Sequence, residues 1–511
     1  MRWRITNVVV VLEEATEAET EWMRGFLSYS DRRYNPRSGK YDTRQVSLLS
    51  LRGEFPTGLG IAAWREAKAK GYHVEIVDAR HVPCAQVPDP QADLSWLRKH
   101  PAVTGEITFQ TEAVMAVCKH RRGLIWAPTG SGKGTIAVGI AQAIPCRWLF
   151  LVHRLDLVEQ QAARYESITG LQAGRIGDGR VSLPDGCRFI VASFQTMHAA
   201  HKRGQGEALR VLEEAEGLMV DEVHSLPADT YAAVTRRAVN AYYRVGMSAT
   251  PLARGDGRNL MTIGGLGPVI YRIRPEELIR LGLLARPRIR MMEHRALCER
   301  PTWRGVYTEA VVRSRARNAL VAQMTKQASK PALVFVQQVS HGRELEKLVR
   351  ARGVSVEFVW GEEPLAIRRA AIQRLERGET EVLICSVIFQ EGVDIPSLRS
   401  VVIAAGGASI IAALQRIGRG MRADKASAKT EFEVYDVFDA GCGCSASPRP
   451  EQHTGCRWLR RHSLERRKAY EAEGFTIETG GANYARSNSI EEHIAARGGH
   501  RNQGLRTQSS E

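Results

Sequence analysis

Residues Leu124–Thr135, which read LIWAPTGSGKGT, decide the fold class of this chain. A short apolar run comes first, then a glycine-rich loop, then a lysine. The stretch behind the lysine carries one apolar stripe, formed by Ile136, Ile140 and Ile144. Strand, glycine loop, lysine and helix in this order are typical of a P-loop, where backbone amides and a helix N-terminus bind phosphate. The pattern predicts a nucleotide site formed by Thr129, Gly130, Ser131, Gly132, Lys133, Gly134 and Thr135.

One position departs from the P-loop motif. The motif has serine or threonine directly after the lysine, where a hydroxyl binds Mg²⁺, but this chain has Gly134. Thr135 follows one residue later, rotated by about 100° around the helix. Either Thr135 or a water takes the metal position in a working ATPase, or the site binds ATP and turns it over poorly. We favour retained activity, and we expect threonine to fit at position 134 because glycine is the poorer helix former.

Apolar runs alternate with amphipathic stretches on both sides of a point near residue 290. The predicted strands are Leu149–His153, Phe189–Ser193, Leu218–Val220, Arg244–Met247, Ala332–Val336, Ser355–Val359, Val382–Ser386 and Ser400–Ile403. Such alternation predicts parallel sheets with crossover helices. We therefore divide the chain into an N-terminal α/β accessory domain (1–100), two tandem parallel-sheet domains (101–290 and 291–440), and a basic helical C-terminal extension with a disordered tail (441–511).

A second motif carries the acidic groups that phosphate chemistry needs. Leu218–Val220 runs directly into Asp221 and Glu222, and a carboxylate at the end of a strand can hold Mg²⁺ or activate water. We assign Asp221 to the metal and Glu222 to the attacking water. An isolated Asp-Glu pair after a strand is usually a solvated strand end. The functional interpretation of this pair is supported by Ser248–Pro251, which reads SATP and follows the next predicted strand.

These motifs together resemble a superfamily 2 helicase of the DEAD/DEAH type, here with a DEVH box. They occur in the family's order over roughly residues 100 to 475. Within the superfamily, the chain looks closest to XPB-like and phage branch-migration helicases, and the resemblance implies that both parallel-sheet domains are RecA-like. The motifs are GSGK (130–133), LVHR (151–154), FQT (194–196), DEVH (221–224), SAT (248–250), VFV (334–336), EGVDIP (391–396) and QRIGRGMR (415–422).

The resemblance implies a role for each matching residue. Residues of the last motif, Gln415, Arg419 and Arg422, would reach the γ-phosphate, and Lys133, Asp221 and Glu222 would complete the catalytic set. Ser248 and Thr250 would couple hydrolysis to movement. The remaining positions would bind nucleotide, through Phe109, Gln110, Gly392 and Asp394, or nucleic-acid phosphates, through Arg154, Thr196 and Ser386.

Charge and composition narrow the class of partner. Lys plus Arg is 72 against 56 Asp plus Glu, a net charge of +16, which favours a polyanion such as nucleic acid. No apolar stretch approaches the roughly 18 residues of a membrane span. Nine scattered cysteines favour a reduced, cytoplasmic setting. The resemblance to phage helicases implies that this is the cytoplasm of a bacterium or a phage-infected host.

Two peripheral segments allow alternative interpretations. Cys442, Cys444, His453 and Cys456 have zinc-binding side chains, but Cys-x-Cys lacks the usual separation, so the pattern favours an insertion loop over a zinc site. Near the N-terminus, basic residues alternate with tyrosines between residues 29 and 41. They make this domain a candidate for DNA binding, and a solvated loop explains them equally well.

These observations predict an ATP- and Mg²⁺-dependent DNA helicase or translocase that remodels duplex or branched DNA. An RNA helicase is the alternative among enzymes, because contacts to phosphates do not distinguish the two nucleic acids. A non-hydrolysing, ATP-gated nucleic-acid clamp is the alternative from another class, motivated by Gly134.

Overall fold

The computed structural model describes residues 1–35, 40–83, 93–98, 107–223, 228–252, 258–295, 298, 300, 302–386, 395, 397–407, 429–441 and 454–480. The chain forms two compact units, Met1–Leu284 and Ala285–Glu511. The α/β class with parallel sheets is confirmed, whereas the four-part division of the chain stays a prediction. Among the described residues, no helix combines the length and the apolar character that a membrane span requires.

The first unit begins with a small mixed sheet in the order β5-β2-β1-β6 and a separate β3–β4 hairpin. Its strands are β1 (Arg2–Ile5), β2 (Val9–Glu14), β3 (Ser28–Asn35), β4 (Lys40–Ser47), β5 (Glu54–Pro56) and β6 (Glu75–Asp78), and its helices are α1 (Glu17–Phe26) and α2 (Gly60–Ala69). Trp3, Val10 and Phe55 pack between sheet and helices as a core of their own. The side chains of the basic and tyrosine-rich segment 32–41 lie outside what the structure describes.

The larger sheet of the first unit has eight strands in the order β10-β9-β11-β8-β12-β13-β7-β14, all parallel except β10. Its strands are β7 (Arg122–Trp126), β8 (Trp148–Val152), β9 (Gly174–Gly177), β10 (Arg180–Ser182), β11 (Phe189–Ser193), β12 (Gly217–Asp221), β13 (Tyr243–Ser248) and β14 (Val269–Arg272). Its helices are α3 (Phe109–His120), α4 (Lys133–Ala143), α5 (Leu155–Thr169), α6 (Phe194–Arg203), α7 (Glu207–Glu214), α8 (Ala228–Arg237), α9 (Asn259–Leu266) and α10 (Pro275–Arg280).

Continuous apolar runs explain why β8 and β11 lie in the middle of the sheet. Every residue of β8 and β11 is buried, as expected for parallel strands covered on both faces by helices. The carboxyl ends of parallel strands share one edge, and this edge carries the predicted motifs. The helices after β7, β8 and β11 begin within seven residues of their strands. Their N-termini therefore lie along the same edge.

A close backbone contact and a nearly buried ion pair hold the N-terminal elements against the part of the unit that contains the larger sheet. A Cβ on Gly58 would lie 2.1 Å from the Ile263 carbonyl oxygen in α9, so only glycine allows this approach. Arg258 binds both carboxylate oxygens of Asp31, at 3.0 and 2.9 Å, in a pair that is nearly buried. These contacts make the small sheet part of the first unit.

The second unit is a seven-stranded, wholly parallel sheet in the order β17-β18-β16-β19-β20-β15-β21. Its strands are β15 (Arg286–Arg295), β16 (Ala332–Val336), β17 (Val356–Val359), β18 (Val382–Ser386), β19 (Ser400–Ile403), β20 (Glu431–Gly441) and β21 (Thr476–Gly480). Its helices are α11 (Trp303–Val306), which continues as a π-helix over Tyr307–Val312, α12 (Arg315–Gln327), α13 (Val339–Arg350), α14 (Leu365–Glu376) and α15 (Thr454–Ala472).

A buried charge cluster ties α15 to this sheet. Arg466 is fully buried and binds both oxygens of Asp436 on β20, at 2.8 and 3.1 Å, while the Tyr470 hydroxyl donates to the same carboxylate. Arg466 also donates to the carbonyl oxygen of Gly407. The helix and β21 are therefore integral to the second sheet, and residues 481–511, predicted as a disordered tail, lie outside the described residues.

Candidate active site

The glycine loop after β7 has the backbone geometry that phosphate binding requires. Gly130 and Gly132 have φ values of 89° and 80°, a region that residues with a Cβ rarely adopt. Gly132 is the N-cap of α4, and the helix begins at Lys133. The first amides of α4 and its positive dipole end lie at this loop, which makes it a site for an anion.

The upstream Phe109–Gln110 pair packs against the loop. Gln110 is nearly buried, and its Nε2 donates to the Ser131 carbonyl oxygen at 3.0 Å. A Cβ on Gly132 would lie 2.5 Å from that nitrogen, so glycine also permits the approach of Gln110. Phe109 is fully buried and exposes no ring face to solvent in this structure. Here the pair supports the loop, and its predicted role in adenine binding stays a prediction.

The acidic pair lies beside the lysine. Asp221 ends β12, and the Lys133 Nζ lies 3.0 Å from Glu222 Oε1. Glu222 has a φ of 47°, a left-handed conformation that is uncommon for a non-glycine residue and is typical of constrained functional sites. The structure therefore brings Lys133, Asp221 and Glu222 together, as the sequence predicted from two distant motifs.

Burial has the largest effect on the pKa of Asp221. Burial raises the pKa of the Asp221 carboxyl above its usual range, and the Glu222 carboxylate raises this pKa further. The charges of Lys133 and Arg164 act in the opposite direction and lower the pKa. A half-buried carboxylate among these charges is a suitable oxygen ligand for a divalent cation, which would keep it ionised.

The SAT motif contacts the acidic pair. Ser248 is fully buried at the end of β13, and its hydroxyl lies 3.4 Å from Glu222 Oε2. The Thr250 amide donates to the Ser248 hydroxyl at 3.0 Å. Two hydrogen bonds therefore connect Glu222 through Ser248 to the backbone at Thr250, and the predicted coupling role of this motif stays a prediction.

Two of the residues predicted to bind nucleic acid lie at the carboxyl edge of the eight-stranded sheet. Arg154 caps α5 after β8, and Thr196 lies in the first turn of α6 after the neighbouring β11. The Arg154 guanidinium binds Asp156 at 2.9 Å, and the Thr196 hydroxyl lies 3.1 Å from that of Ser193. Ser386 ends β18 in the second unit, is buried, and accepts a hydrogen bond from the Gly361 amide.

The space around Gly134 is occupied by two side chains from a neighbouring helix. A Cβ on this residue would lie 2.2 Å from Gln161 Oε1 and 2.3 Å from Arg164 Nη1, both on α5. Threonine would require these two flexible side-chain ends to move, so its predicted tolerance at position 134 stays a prediction. Sequence reasoning missed Gln161 and Arg164, since nothing in the α5 sequence signals that it faces the P-loop. Thr135 lies elsewhere, its hydroxyl 3.7 Å from the Cβ position of Gly132.

Several predicted site residues lie outside the described residues, namely Gly392, Asp394, Gln415, Arg419, Arg422, Cys442, Cys444 and His453. Cys456, the described member of the zinc candidate, is buried, and its sulfur lies 3.4 Å from the Cys298 amide nitrogen. Within the described ranges, no group of three or more His, Cys, Asp or Glu side chains is arranged to hold a metal ion.

Two family models match the chain. Residues 106–253 match the family described as Type III restriction enzyme, res subunit, and residues 315–424 match the Helicase conserved C-terminal domain. The first match contains the P-loop and the acidic pair. The second contains the segment in which the predicted arginines lie.

Relatives span the chain to different extents. It is 24% identical to the ATP-dependent DNA helicase uvsW of Enterobacteria phage T4, over 92% of this chain and 96% of the phage protein. It is 26% identical to the DNA 3'-5' translocase XPB2 of Sulfurisphaera tokodaii, over 61% and 78%. A protein of the Sulfolobus islandicus filamentous virus is 28% identical over 62% of this chain, and the chain spans 60% of that protein's length.

One solved structure shares the fold. The ATP-dependent Type ISP restriction-modification enzyme LlaBIII bound to DNA superposes with a TM-score of 0.51 and 14% identity. The match covers 76% of this chain and 32% of that enzyme. This likeness concerns the arrangement of sheets and helices alone.

Proposed function

We propose that this chain is a superfamily 2 helicase that resembles XPB-like and phage enzymes, and that it acts as an ATP-dependent DNA helicase or translocase that remodels duplex or branched DNA. The observation that supports this proposal most directly is the Lys133–Glu222 ion pair at the carboxyl edge of the eight-stranded sheet, beside Asp221 and the glycine loop. Three groups lie together there: the Lys133 ammonium would bind phosphate, the Asp221 carboxylate would hold the metal, and the Glu222 carboxylate would accept a proton from water.

The residues present fit ATP and Mg²⁺. Among the described residues, Ser131 and Thr250 each have a buried hydroxyl without a hydrogen-bond partner, as expected where a ligand supplies the partner. The loop amides and Lys133 would bind the β- and γ-phosphates, and Asp221 would hold Mg²⁺. Bound Mg²⁺ offsets the negative charge that develops on the phosphates during transfer.

The ion pair suggests how Glu222 is activated. The Lys133 ammonium lies 3.0 Å from the Glu222 carboxylate and offsets its charge. A γ-phosphate at the loop competes with Glu222 for this ammonium group, because the phosphate carries more negative charge. Glu222 would then accept a proton from the attacking water, and Ser248 would pass the change toward Thr250.

DNA is the proposed track. The net charge of +16 suits a polyanion, and Arg154 and Thr196 lie on one edge where they could contact phosphates without reading bases. Two relatives named above are a DNA helicase and a DNA translocase, which favours DNA over RNA. We further propose a two-RecA-domain motor in the cytoplasm of a bacterium or phage-infected host, in which Gln415, Arg419 and Arg422 complete the ATPase site.

ATP hydrolysis measured with no nucleic acid, duplex DNA, single-stranded DNA and RNA tests this proposal. We expect DNA to stimulate hydrolysis and RNA to do so much less. Equal or greater stimulation by RNA would favour an RNA helicase. Nucleotide-dependent DNA binding with no hydrolysis under any condition would instead support the ATP-gated clamp.

A further inference from the structure

The space beside Gly134 is filled from another helix. Gly134 is buried in the first turn of α4, and the point where its Cβ would lie is 2.2 Å from Gln161 Oε1 and 2.3 Å from Arg164 Nη1. A side chain at position 134 would require these two side-chain ends to move aside. In a P-loop with serine or threonine here, the same space holds the side chain whose hydroxyl binds Mg²⁺.

The Gln161 amide oxygen is an unsatisfied acceptor among the described residues. Gln161 is only 7% exposed, and its Oε1 is buried with no hydrogen-bond partner in the part of the chain that the structure describes. Buried polar atoms are nearly always satisfied, so an orphaned oxygen calls for an explanation. Carbonyl oxygens are suitable ligands for Mg²⁺ and Mn²⁺.

Gln161 also lies at the metal side of the site. Arg164, one turn further along α5, is close enough to Asp221 for its charge to act on that carboxylate. The Gly134 position, Gln161, Arg164 and the proposed metal ligand Asp221 therefore share one corner of the site. Thr135 does not have this relationship: its hydroxyl lies near Gly132, at the point that Gln110 approaches.

We propose that Gln161 supplies from α5 the oxygen that the P-loop lacks at Gly134, and that it binds the nucleotide-associated Mg²⁺ together with Asp221, directly or through a metal-bound water. This inference rests on the proposed function, because it requires a nucleotide at the loop. It explains how glycine can follow the P-loop lysine in an active site: the glycine makes room for the ligand from the neighbouring helix.

The test measures metal affinity rather than turnover. Mn²⁺ binding to the protein–ADP complex is followed by electron paramagnetic resonance, and ADP binding in EDTA is measured in parallel. Gln161→Leu keeps the side-chain volume and removes the oxygen. We expect it to weaken Mn²⁺ binding about tenfold or more, within the range for groups that support a metal, and to leave metal-free ADP binding unchanged. Thr135→Val is the matched comparison and should change Mn²⁺ affinity little.

A rescue variant separates metal binding from packing. In a Gln161→Ala background the space beside position 134 is open, so Gly134→Ser should restore Mn²⁺ affinity by supplying a hydroxyl from the loop. Gln161→Glu should raise Mn²⁺ affinity, since it places a carboxylate at the same point, and it serves if the leucine variant does not fold. Thermal unfolding confirms that each variant is folded.

The two proposals fail in different ways. If Gln161→Leu, or Gln161→Glu where the leucine variant does not fold, binds Mn²⁺ as the wild-type complex does, or if Thr135→Val carries the loss, the assignment of Gln161 is wrong while the ATPase proposal stands. If the wild-type chain binds neither ADP nor ATP with Mg²⁺ present, the proposed function is itself wrong, and this inference falls with it.

Discussion

Lys133 and Glu222, which come from two motifs far apart in the chain, form an ion pair with an Nζ–Oε1 distance of 3.0 Å. Both side chains are mostly buried, with 12% and 20% exposed, so the pair is shielded from solvent. Glu222 holds its carboxylate beside Lys133 from a left-handed backbone conformation, with a φ of 47°. Under the proposed function, this pair would link nucleotide binding to the state of the base.

Glu222→Gln should abolish most hydrolysis and retain nucleotide binding. Glutamine keeps the shape of the side chain but cannot accept a proton from water, and loss of a general base costs about 10²- to 10⁴-fold in rate. Steady-state ATPase rates and equilibrium binding of a fluorescent ADP check this. A variant that hydrolyses ATP at the wild-type rate would remove Glu222 from the catalytic role.

Arg419→Ala should lower turnover by about 10³-fold or more, because an arginine that contacts the γ-phosphate offsets charge in the transition state. ATP and DNA affinity should change far less. Arg377→Ala is the matched control, since its side chain is 67% exposed and its contact to Glu379 is long. Equal rates for Arg419→Ala and the control would contradict the role that the resemblance implies.

Binding to DNA should weaken steeply with salt. Contacts to phosphates release counterions, so the logarithm of the binding constant falls linearly with the logarithm of salt concentration, by about 0.9 per phosphate contact on duplex DNA. Fluorescence anisotropy between low and physiological salt measures the slope. A flat dependence would show that a phosphate-contacting surface is absent.

Arg466→Leu should destabilise the second unit. The change leaves the buried Asp436 carboxylate without its bidentate partner, and breaking such a pair costs about 3–5 kcal/mol. Urea unfolding and hydrogen exchange of α15 should both report the loss. Arg461→Ala on the same helix is the control, because its side chain is 61% exposed, and replacing Asp436 as well should recover part of the stability. If Arg466→Leu unfolds at the wild-type midpoint, the buried pair contributes little.

His341 should make the second unit sensitive to acid. Burial, with a smaller contribution from the Arg317 charge, lowers the pKa of His341 to about 3 from 6.5. The unfolded chain takes up the proton first, so stability is full above pH 6.5 and falls as the pH drops toward 3, by up to about 1.4 kcal/mol per pH unit. His341→Gln should flatten this dependence in urea unfolding at several pH values, whereas exposed His73→Gln should not. Parallel profiles for wild type and His341→Gln would contradict this account.

Local sequence patterns account for the parts of the fold and of the candidate site that could be predicted. The uniformly apolar runs at Phe189–Ser193 and Val382–Ser386 are strands with the predicted bounds, because a fully buried parallel strand has no polar face. The helix after the glycine loop begins at Lys133 for an equally local reason, the positive φ of Gly132. Asp221 and Glu222 could be placed beside the P-loop because parallel strands bring their carboxyl ends to one edge.

The sequence by itself therefore determined the class of fold, the phosphate loop and the acidic pair, since each depends on neighbours in the chain or on the rule for parallel strands. Only the tertiary structure decided that α5 presents Gln161 and Arg164 to Gly134, and that Arg466 is buried against Asp436. Nothing in the sequence around a glutamine or an arginine differs between a solvated helix face and a buried contact. The difference arises from which distant segment packs there, and that depends on how complete helices fit onto the sheet.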